Sequence, residues 1–150
     1  MRIYRLHRAH RSASDYGGSL LYPGRWNQKG TPVLYFSLAL SLACPEQLVH
    51  LTPDEMPDDY VYTSVDLRGE PEAADYRGSL MDVDSTRRYG HRWATDRRSL
   101  AILVPSVIIP IEFNLLLNPL HVAFTDLEWG EPQPFAFDPR LLNRSSAGAV

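Results

Sequence analysis

The sequence predicts an α+β fold in which strands outnumber helices and pair mainly antiparallel. Short apolar or alternating runs, which are typical of strands, recur along the whole chain of 150 residues. Long helical patterns are few, and they do not alternate regularly with the strands. Because regular alternation is the pattern of a doubly wound parallel sheet, its absence from the sequence favours antiparallel pairing.

The first part of the chain is predicted to form two strands and a helix. Residues 3–6 have the pattern of a short strand, and the polar connection over residues 7–24 is long enough to suggest a functional role. Residues 32–36 are predicted to be a buried strand. Ser37 can then cap a helix that continues through Leu51.

This predicted helix carries a carboxylate on its apolar face. Four residues at spacings of four, four and three share one side of it: Leu38, Leu42, Glu46 and Val49. A carboxylate among apolar side chains is costly unless it is paired or used, which makes Glu46 a candidate functional residue. Pro45 has no N–H for the Ser41 carbonyl, so the helix is predicted either to kink there or to restart with Pro45 in its first turn.

The second part of the chain is predicted to be rich in strands. The alternation over residues 60–67 predicts a strand with one apolar side, formed by Val61, Thr63, Val65 and Leu67. Residues 68–83 are predicted to be a loop, and residues 85–98 a polar helix weakened by Gly90. Further strand-like runs cover residues 101–104, 107–109, 112–117, 124–129 and 134–137.

The composition predicts one domain, over residues 1–142, followed by a flexible tail of small and polar residues, 143–150. The formal charge of −3 argues against direct nucleic-acid binding. A single cysteine, Cys44, and an N-terminus without an apolar signal core indicate a cytoplasmic protein. Prolines and polar residues interrupt the most apolar stretch, residues 100–117, so no membrane interaction is expected.

Several familiar sites are not supported by the sequence. No G-x-G-x-x-G motif follows a strand, and Lys29-Gly30-Thr31 does not have the Gly-Lys-Thr order of a phosphate-binding loop. The five histidines lack the i, i+4 pairing of a metal-binding helix, and there is one cysteine. We therefore expect neither a metal ion nor a prosthetic group.

A scattered set of residues remains as candidates for chemistry. Arg25 lies in a glycine-led turn, Tyr35 on the next strand, and Ser106 between two apolar runs. Taken singly, these three are more simply explained as a surface arginine, a core aromatic residue and a turn residue. Glu46 is the exception, because its place on an apolar face favours function.

Several longer motifs follow one another in a recognisable order. They are Tyr4-Arg5-Leu6, Gly24-Arg25-Trp26-Asn27 with Lys29-Gly30-Thr31, Val33-Leu34-Tyr35, Ser37-Leu38-Ala39-Leu40, Glu46-Gln47-Leu48-Val49-His50-Leu51, Val104-Pro105-Ser106, Glu112-Phe113-Asn114 and Asn118-Pro119-Leu120-His121. Together they resemble the RES domain, over nearly the whole chain. The arginine, glutamate and serine for which that family is named match Arg25, Glu46 and Ser106. The sequence departs from the family at Cys44-Pro45, where relatives carry helix-forming apolar residues.

The resemblance implies a fold like that of ADP-ribosyltransferases, with split, mostly antiparallel sheets and flanking helices around an NAD⁺ cleft. It implies a toxin that consumes NAD⁺ as a substrate, by hydrolysis or phosphorolysis of the nicotinamide–ribose bond. It further implies an Xre-type antitoxin that blocks the cleft, and it is compatible with a toxin homodimer inside a hetero-oligomer. Two alternatives stay open. One is a mono-ADP-ribosyltransferase that uses the same cleft, and the other is a non-catalytic binding module, which Pro45 favours.

The chemistry of the matched residues is compatible with this reaction. Cleavage builds positive charge on the ribose, which Glu46 can stabilise. Arg25 can bind the pyrophosphate or a ribose through its planar fork of donors. Tyr35 can stack on nicotinamide, and Ser106 can form a hydrogen bond with the nicotinamide half of the dinucleotide.

Other residues near these motifs have two interpretations each. Trp26 and Asn27 are candidates for lining the same cleft, although Trp26 equally fits the core. The arginines of the predicted polar helix form either a solvated face or a surface for an acidic partner or the adenosine end of NAD⁺; they are Arg87, Arg88, Arg92, Arg97 and Arg98. Trp93 is predicted to be a packing anchor.

Overall fold

The structure, a computed structural model, describes residues 1–142. Its strands are β1 (Arg2–Arg8), β2 (Leu34–Ser37), β3 (Tyr60–Asp66), β4 (Glu72–Ala73), β5 (Ala101–Pro105), β6 (Phe113–Leu117) and β7 (Gln133–Pro134). Its α-helices are α1 (Gly17–Leu21), α2 (Leu40–Leu48) and α3 (Val83–Thr95). In the part of the chain described, no helix is both long and apolar enough to span a bilayer. The predicted tail, residues 143–150, lies outside the described residues.

The seven strands form one sheet that is nearly divided in the middle. Their order is β4-β5-β6-β2-β1-β3-β7, and every pairing is antiparallel except that of β4 with β5. Seven residue pairs join β1 to β3 and five join β5 to β6, whereas β1 and β2 meet only at Tyr4 and Ser37. The predicted α+β fold with a split, mostly antiparallel sheet is therefore confirmed.

Strand β6 lies at the centre of the larger half and is buried on both faces. Leu115 and Leu117 pack into the apolar cluster on one face, together with Ile3 and Phe36. Leu116 packs into a second cluster on the other face, which α3 covers. Because successive side chains of a strand point to opposite faces, this run of leucines suits a strand buried between two layers. The strand forms a buried base for its second residue, Asn114.

The predicted strands at residues 3–6, 32–36, 60–67, 101–104 and 112–117 correspond to β1, β2, β3, β5 and β6. Two other predicted strands are wrong. Residues 107–109 form a bend, in which the Ser106 hydroxyl accepts hydrogen bonds from the backbone N–H groups of Ile108 and Ile109. Residues 124–129 contain part of a 3-10 helix (Val122–Asp126) and only one bridge to the sheet, from Trp129 to Val65.

Two short strands, at residues 72–73 and 133–134, were not predicted with their observed bounds. The run at residues 134–137 is reduced to the two-residue strand β7, and the predicted loop at residues 68–83 contains β4. Both are edge strands of two residues that pair with a longer neighbour. Strands of this length have too few residues for a periodicity to be read from the sequence.

Helix α2 starts later and ends earlier than predicted. Ser37 does not cap it, because this residue is the last of β2 and its hydroxyl donates to Asn114 Oδ1 at 2.8 Å. The helix instead begins at Leu40 without a side-chain cap. The predicted apolar stripe is interrupted, since Leu42 is 3% exposed but Val49 is 54% exposed. Glu46 therefore lies at the border between the buried and the open side of the helix.

Pro45 lies inside one continuous helix. The Val49 N–H donates to the Pro45 carbonyl at 3.2 Å, so the hydrogen-bonding of α2 proceeds past the proline, and the predicted restart is wrong. The ring still removes the donor that the Ser41 carbonyl would use. Ser41 is exposed, so water can take the place of this donor.

Replacing Pro45 with alanine is expected to raise the free energy of unfolding by about 1–2 kcal/mol. Alanine supplies the missing N–H to the Ser41 carbonyl and removes the ring from the preceding turn. Urea denaturation monitored by circular dichroism measures the change. The matched control is Pro139→Ala, at the first turn of a 3-10 helix where no N–H is required. A loss of stability in Pro45→Ala would show that the proline supports α2.

Helix α3 packs closely against the turn that contains Arg25. It begins at Val83, because the Asp82 side chain accepts the Ser85 N–H at 3.1 Å. Gly90, which the sequence marks as a weak point of the helix, lies where the helix touches the Trp26 backbone. A Cβ at that position would lie 1.7 Å from the Trp26 carbonyl oxygen. The prediction that Trp93 is a packing anchor is confirmed, because this side chain is 0% exposed.

Candidate functional site

Two adjoining cavities form a cleft over the face of α2 that carries Glu46. The larger, of about 560 Å³, lies between α2, α3 and the end of β5. The polar and charged side chains on its wall are Arg25, Tyr35, Glu46, His50, Arg87 and Asn114. The smaller, of about 290 Å³, lies at the division of the sheet, where Tyr4 and Ser37 meet. Glu46 lines both cavities and so lies at their junction.

The structure brings Arg25 and Glu46 to the wall of the same cavity. Arg25 is held there by a hydrogen bond from its Nη1 to the Leu80 carbonyl, at 2.8 Å. Within residues 1–142, neither side chain forms an ion pair with the other or with a third residue. A guanidinium and a carboxylate thus face one cleft, and each retains capacity for a ligand.

The Glu46 carboxylate is held by one of its two oxygens. Oε1 accepts hydrogen bonds from the Ser106 hydroxyl at 2.6 Å and from the Asn114 Nδ2 at 2.5 Å. Ser37 in turn donates to Asn114 Oδ1, which fixes the amide with its nitrogen towards Glu46. The described residues donate no hydrogen bond to Oε2. The network therefore orients the carboxylate and leaves one oxygen available to a bound molecule.

Ser106 is completely buried, with 0% exposure. The donor and both acceptor positions of its hydroxyl are occupied by hydrogen bonds within the protein. It donates to Glu46 and accepts from the N–H groups of Ile108 and Ile109, at 3.1 and 3.0 Å. A hydroxyl has one donor and two acceptor sites, so none is left for a ligand. The predicted hydrogen bond from Ser106 to the dinucleotide is not compatible with this geometry. Ser106 instead positions Glu46.

Tyr35 contributes its ring to the cleft and its hydroxyl to the neighbouring turn. The hydroxyl donates to Asn27 Oδ1 at 2.7 Å and accepts the Trp26 N–H at 3.0 Å. Burial raises the pKa of this phenol well above its usual value. Tyr35 is therefore a neutral side chain whose hydroxyl is committed to the fold, while its ring lines both cavities.

Trp26 and Asn27 are almost completely buried in the turn beside the cleft, and Trp26 also lines the larger cavity. Their direct contact with the dinucleotide stays a prediction. They are 2% and 1% exposed. Asn27 Oδ1 accepts from the Gly24 N–H and from Tyr35, and Nδ2 donates to the carbonyls of Ser19, Tyr22 and Gln28. The Trp26 ring packs edge-on against Tyr76 and Tyr89. Both residues shape the turn that presents Arg25.

Asn114 is missing from the sequence prediction of the site, and Arg87 was predicted only as one of several arginines that could face an acidic partner or the adenosine end of NAD⁺. Asn114 lies in the motif Glu112-Phe113-Asn114, but only the pairing of β6 with β2 reveals that it stands opposite Ser37. Arg87 is one of the arginines of the predicted polar helix, yet its side chain lines the larger cavity. The sequence does not separate Arg87 from the other arginines, because its position one turn after Val83 on the face of α3 that lines the cavity appears only in the structure.

Arg5 adds a cation to the smaller cavity, on the other side of Glu46. Its Nη1 donates to the carbonyls of Ala13 and Asp15. Burial lowers the pKa of this guanidinium to about 10, so it stays charged at neutral pH. The cleft thus has a guanidinium on each side of its carboxylate.

The fold is similar to that of a chain in the crystal structure of the M. tuberculosis MbcT–MbcA toxin–antitoxin complex. The TM-score is 0.72 at 17% identity, over 94% of this chain and 86% of that chain. At this identity the likeness concerns the fold alone. The RES domain family model matches residues 2–138, and the chain belongs to that family.

Proteins that are similar to this chain over most of their own length carry toxin names. The "Toxin Res" of Yersinia enterocolitica is 34% identical over 94% of this chain and 99% of its own length. The "Toxin Res" of Photorhabdus laumondii is 34% identical over 95% and 97%. The "Prs ADP-ribosylating toxin" of a Sphingobium strain is 30% identical over 85% and 86%. The chain therefore spans nearly the whole of each of these relatives.

Proposed function

We propose that this chain is the toxin of a toxin–antitoxin pair and that it cleaves the nicotinamide–ribose bond of NAD⁺. One observation carries the proposal: Glu46 and Arg25 line a single cleft, and Glu46 is held by one oxygen with the other unoccupied. Membership of the RES family and the toxin names of the relatives support the toxin part of this proposal.

The carboxylate supplies what the reaction requires. Departure of nicotinamide leaves positive charge on the ribose, as in glycoside hydrolysis, and a fixed negative group next to the sugar stabilises that charge. Nicotinamide leaves as a neutral molecule, so no general acid is needed. Ser106 and Asn114 hold Glu46 before the substrate binds, which avoids reorganisation during the reaction.

Arg25 is proposed to bind the phosphate side of the substrate. A guanidinium forms bidentate hydrogen bonds with phosphate oxygens, and one donor of Arg25 already fixes its orientation on Leu80. The larger cavity, of about 560 Å³, has a size typical of small-molecule sites. NAD⁺ is thus proposed as a substrate that enters and leaves the cleft, not as a resident cofactor.

A protein mono-ADP-ribosyltransferase is the second candidate. The Sphingobium relative is named as an ADP-ribosylating toxin, which specifically favours it. The same carboxylate would stabilise the ribose cation, and a protein nucleophile would take the place of water or phosphate. The third interpretation, a non-catalytic module, loses its main support because Pro45 leaves α2 continuous and Glu46 in the cleft.

The proposed partner is an antitoxin that covers the cleft. The similar fold occurs in a toxin–antitoxin complex, which supports an antitoxin as partner. An Xre-type antitoxin and a toxin homodimer stay predictions from the family resemblance.

Product analysis separates these reactions. Purified protein is incubated with NAD⁺, with and without phosphate, and the products are chromatographed. Nicotinamide with ADP-ribose indicates hydrolysis, and a phosphate-dependent ADP-ribose product indicates phosphorolysis. Slow release that accelerates when a cell lysate is added, with labelled protein appearing, indicates transfer. Intact NAD⁺ under all these conditions would refute the proposal.

Replacing Asn114 with alanine is expected to lower kcat for nicotinamide release by about tenfold, with little change in KM, because one donor that orients Glu46 is lost. Steady-state kinetics at saturating NAD⁺ measures this effect. Ser37→Ala is the comparison variant. It removes the hydrogen bond that orients the Asn114 amide but keeps the amide itself, so it should lower kcat by less. Unchanged kcat in Asn114→Ala would show that Ser106 alone is sufficient to position the carboxylate.

A further inference from the structure

We infer that Arg87 joins Arg25 to form a binding site for the diphosphate of the dinucleotide. The inference rests on the proposed function for the identity of the ligand, and it adds a residue on α3 to the site. Both guanidiniums line the larger cavity.

Arg87 is anchored in a way that keeps most of its donors free. Its Nε donates to the Gly24 carbonyl at 2.8 Å, while Arg25 Nη1 donates to Leu80. A guanidinium has five N–H donors, so each arginine keeps several for a ligand. The two backbone contacts reduce the freedom of both side chains, which lowers the entropy lost on binding.

The charge of the larger cavity favours an anion. Two guanidiniums and one carboxylate, Glu46, line it, and neither arginine forms an ion pair with a described residue. Both guanidiniums are half-buried without a counter-ion, so a ligand that brings negative charge is favoured there. A diphosphate bears two negative charges and offers oxygens to two planar forks.

The neighbouring arginine on the same helix shows that this placement is particular to Arg87. Arg88 is exposed, and its Nη2 donates to the Ser85 hydroxyl at 2.9 Å on the outside of α3. Arg98 lies beyond the end of the helix and pairs with Glu72. Of the five arginines in this region, Arg87 alone lines the larger cavity.

The test is calorimetric binding of ADP-ribose, a diphosphate without the scissile bond, to the whole chain. Arg87→Gln removes the charge but keeps a donor for the Gly24 carbonyl, and Arg88→Gln is the matched control. We expect Arg87→Gln to weaken ADP-ribose binding roughly 10- to 100-fold, as for the loss of charge-assisted hydrogen bonds. Arg88→Gln should bind ADP-ribose like the unaltered protein.

Adenosine, which lacks both the diphosphate and the scissile bond, distinguishes ligand contact from a purely structural role. If Arg87 only supported the turn at Gly24, Arg87→Gln would weaken both ligands or lower Tm. If ADP-ribose binds Arg87→Gln and the unaltered protein equally, or does not bind the unaltered protein, the inference is wrong. A selective loss of ADP-ribose binding in a protein that leaves NAD⁺ intact would instead uphold the diphosphate site and refute only the proposed reaction.

Discussion

Replacing Glu46 with glutamine is expected to lower kcat for nicotinamide release roughly 100- to 1,000-fold, the range seen when one preorganised electrostatic group is removed. Glutamine is isosteric and keeps an oxygen that can accept from Ser106 and Asn114. It removes the negative charge that would stabilise the ribose cation. Because the ground state of NAD⁺ does not yet carry that charge on the ribose, KM should change much less than kcat.

The matched control for this variant is Glu112→Gln. Glu112 is exposed, and its contact with Ser106 is made by its backbone carbonyl alone. Its activity and Tm should equal those of the unaltered protein. Full activity in Glu46→Gln, with an unchanged Tm, would show that the negative charge of Glu46 has no role in the reaction.

Replacing Gly90 with alanine is expected to have the largest effect on stability. The new Cβ would lie 1.7 Å from the Trp26 carbonyl oxygen, and both partners belong to packed backbone. Helix α3 must therefore move away from the turn. We expect a loss of about 3 kcal/mol or more in the free energy of unfolding, at the upper end for overpacking. For a chain of this size that lowers Tm by roughly 6–12 °C.

Gly18 provides the comparison for this loss of stability. It also lies in an α-helix, α1, but a Cβ there would meet nothing within 4 Å. Gly18→Ala should therefore keep or slightly raise Tm. Differential scanning calorimetry of both variants measures the contrast. Equal Tm values would show that α3 does not rest on the Trp26 backbone.

The five longer strands of this fold could be predicted from local pattern because each has buried side chains on at least one face. Val65 and Leu67 alternate with exposed positions, and the leucines of β6 form a continuous apolar run. Residues 107–109 are just as apolar and were wrongly predicted to be a strand. The Ser106 hydroxyl bonds the backbone N–H groups there and turns the chain, a contact that apolar periodicity does not report.

The start of α2 was mispredicted for a related reason. Ser37 is a good N-cap residue, but tertiary pairing places it in β2 and gives its hydroxyl to Asn114. Propensity is a local preference, and a partner 77 positions away decides the outcome. The same long-range pairing then supplies the network around Glu46.

The candidate site was only partly visible in the sequence. Glu46 stood out as a carboxylate on an apolar face, and motif resemblance added Arg25 and Ser106. The support role of Ser106 could not be predicted, because it depends on the packing of α2 against the end of β5. Arg87 was hidden among several similar arginines, and only the close packing of α3 against the turn at Gly24 singles it out.

The most direct measurement is a crystal structure of Glu46→Gln with intact NAD⁺ bound. We expect the nicotinamide-bearing ribose to lie beside residue 46 at the junction of the two cavities, and the diphosphate to lie on Arg25. Electron density for NAD⁺ outside this cleft, or within it with the adenosine ribose at residue 46, would contradict the proposed role of Glu46.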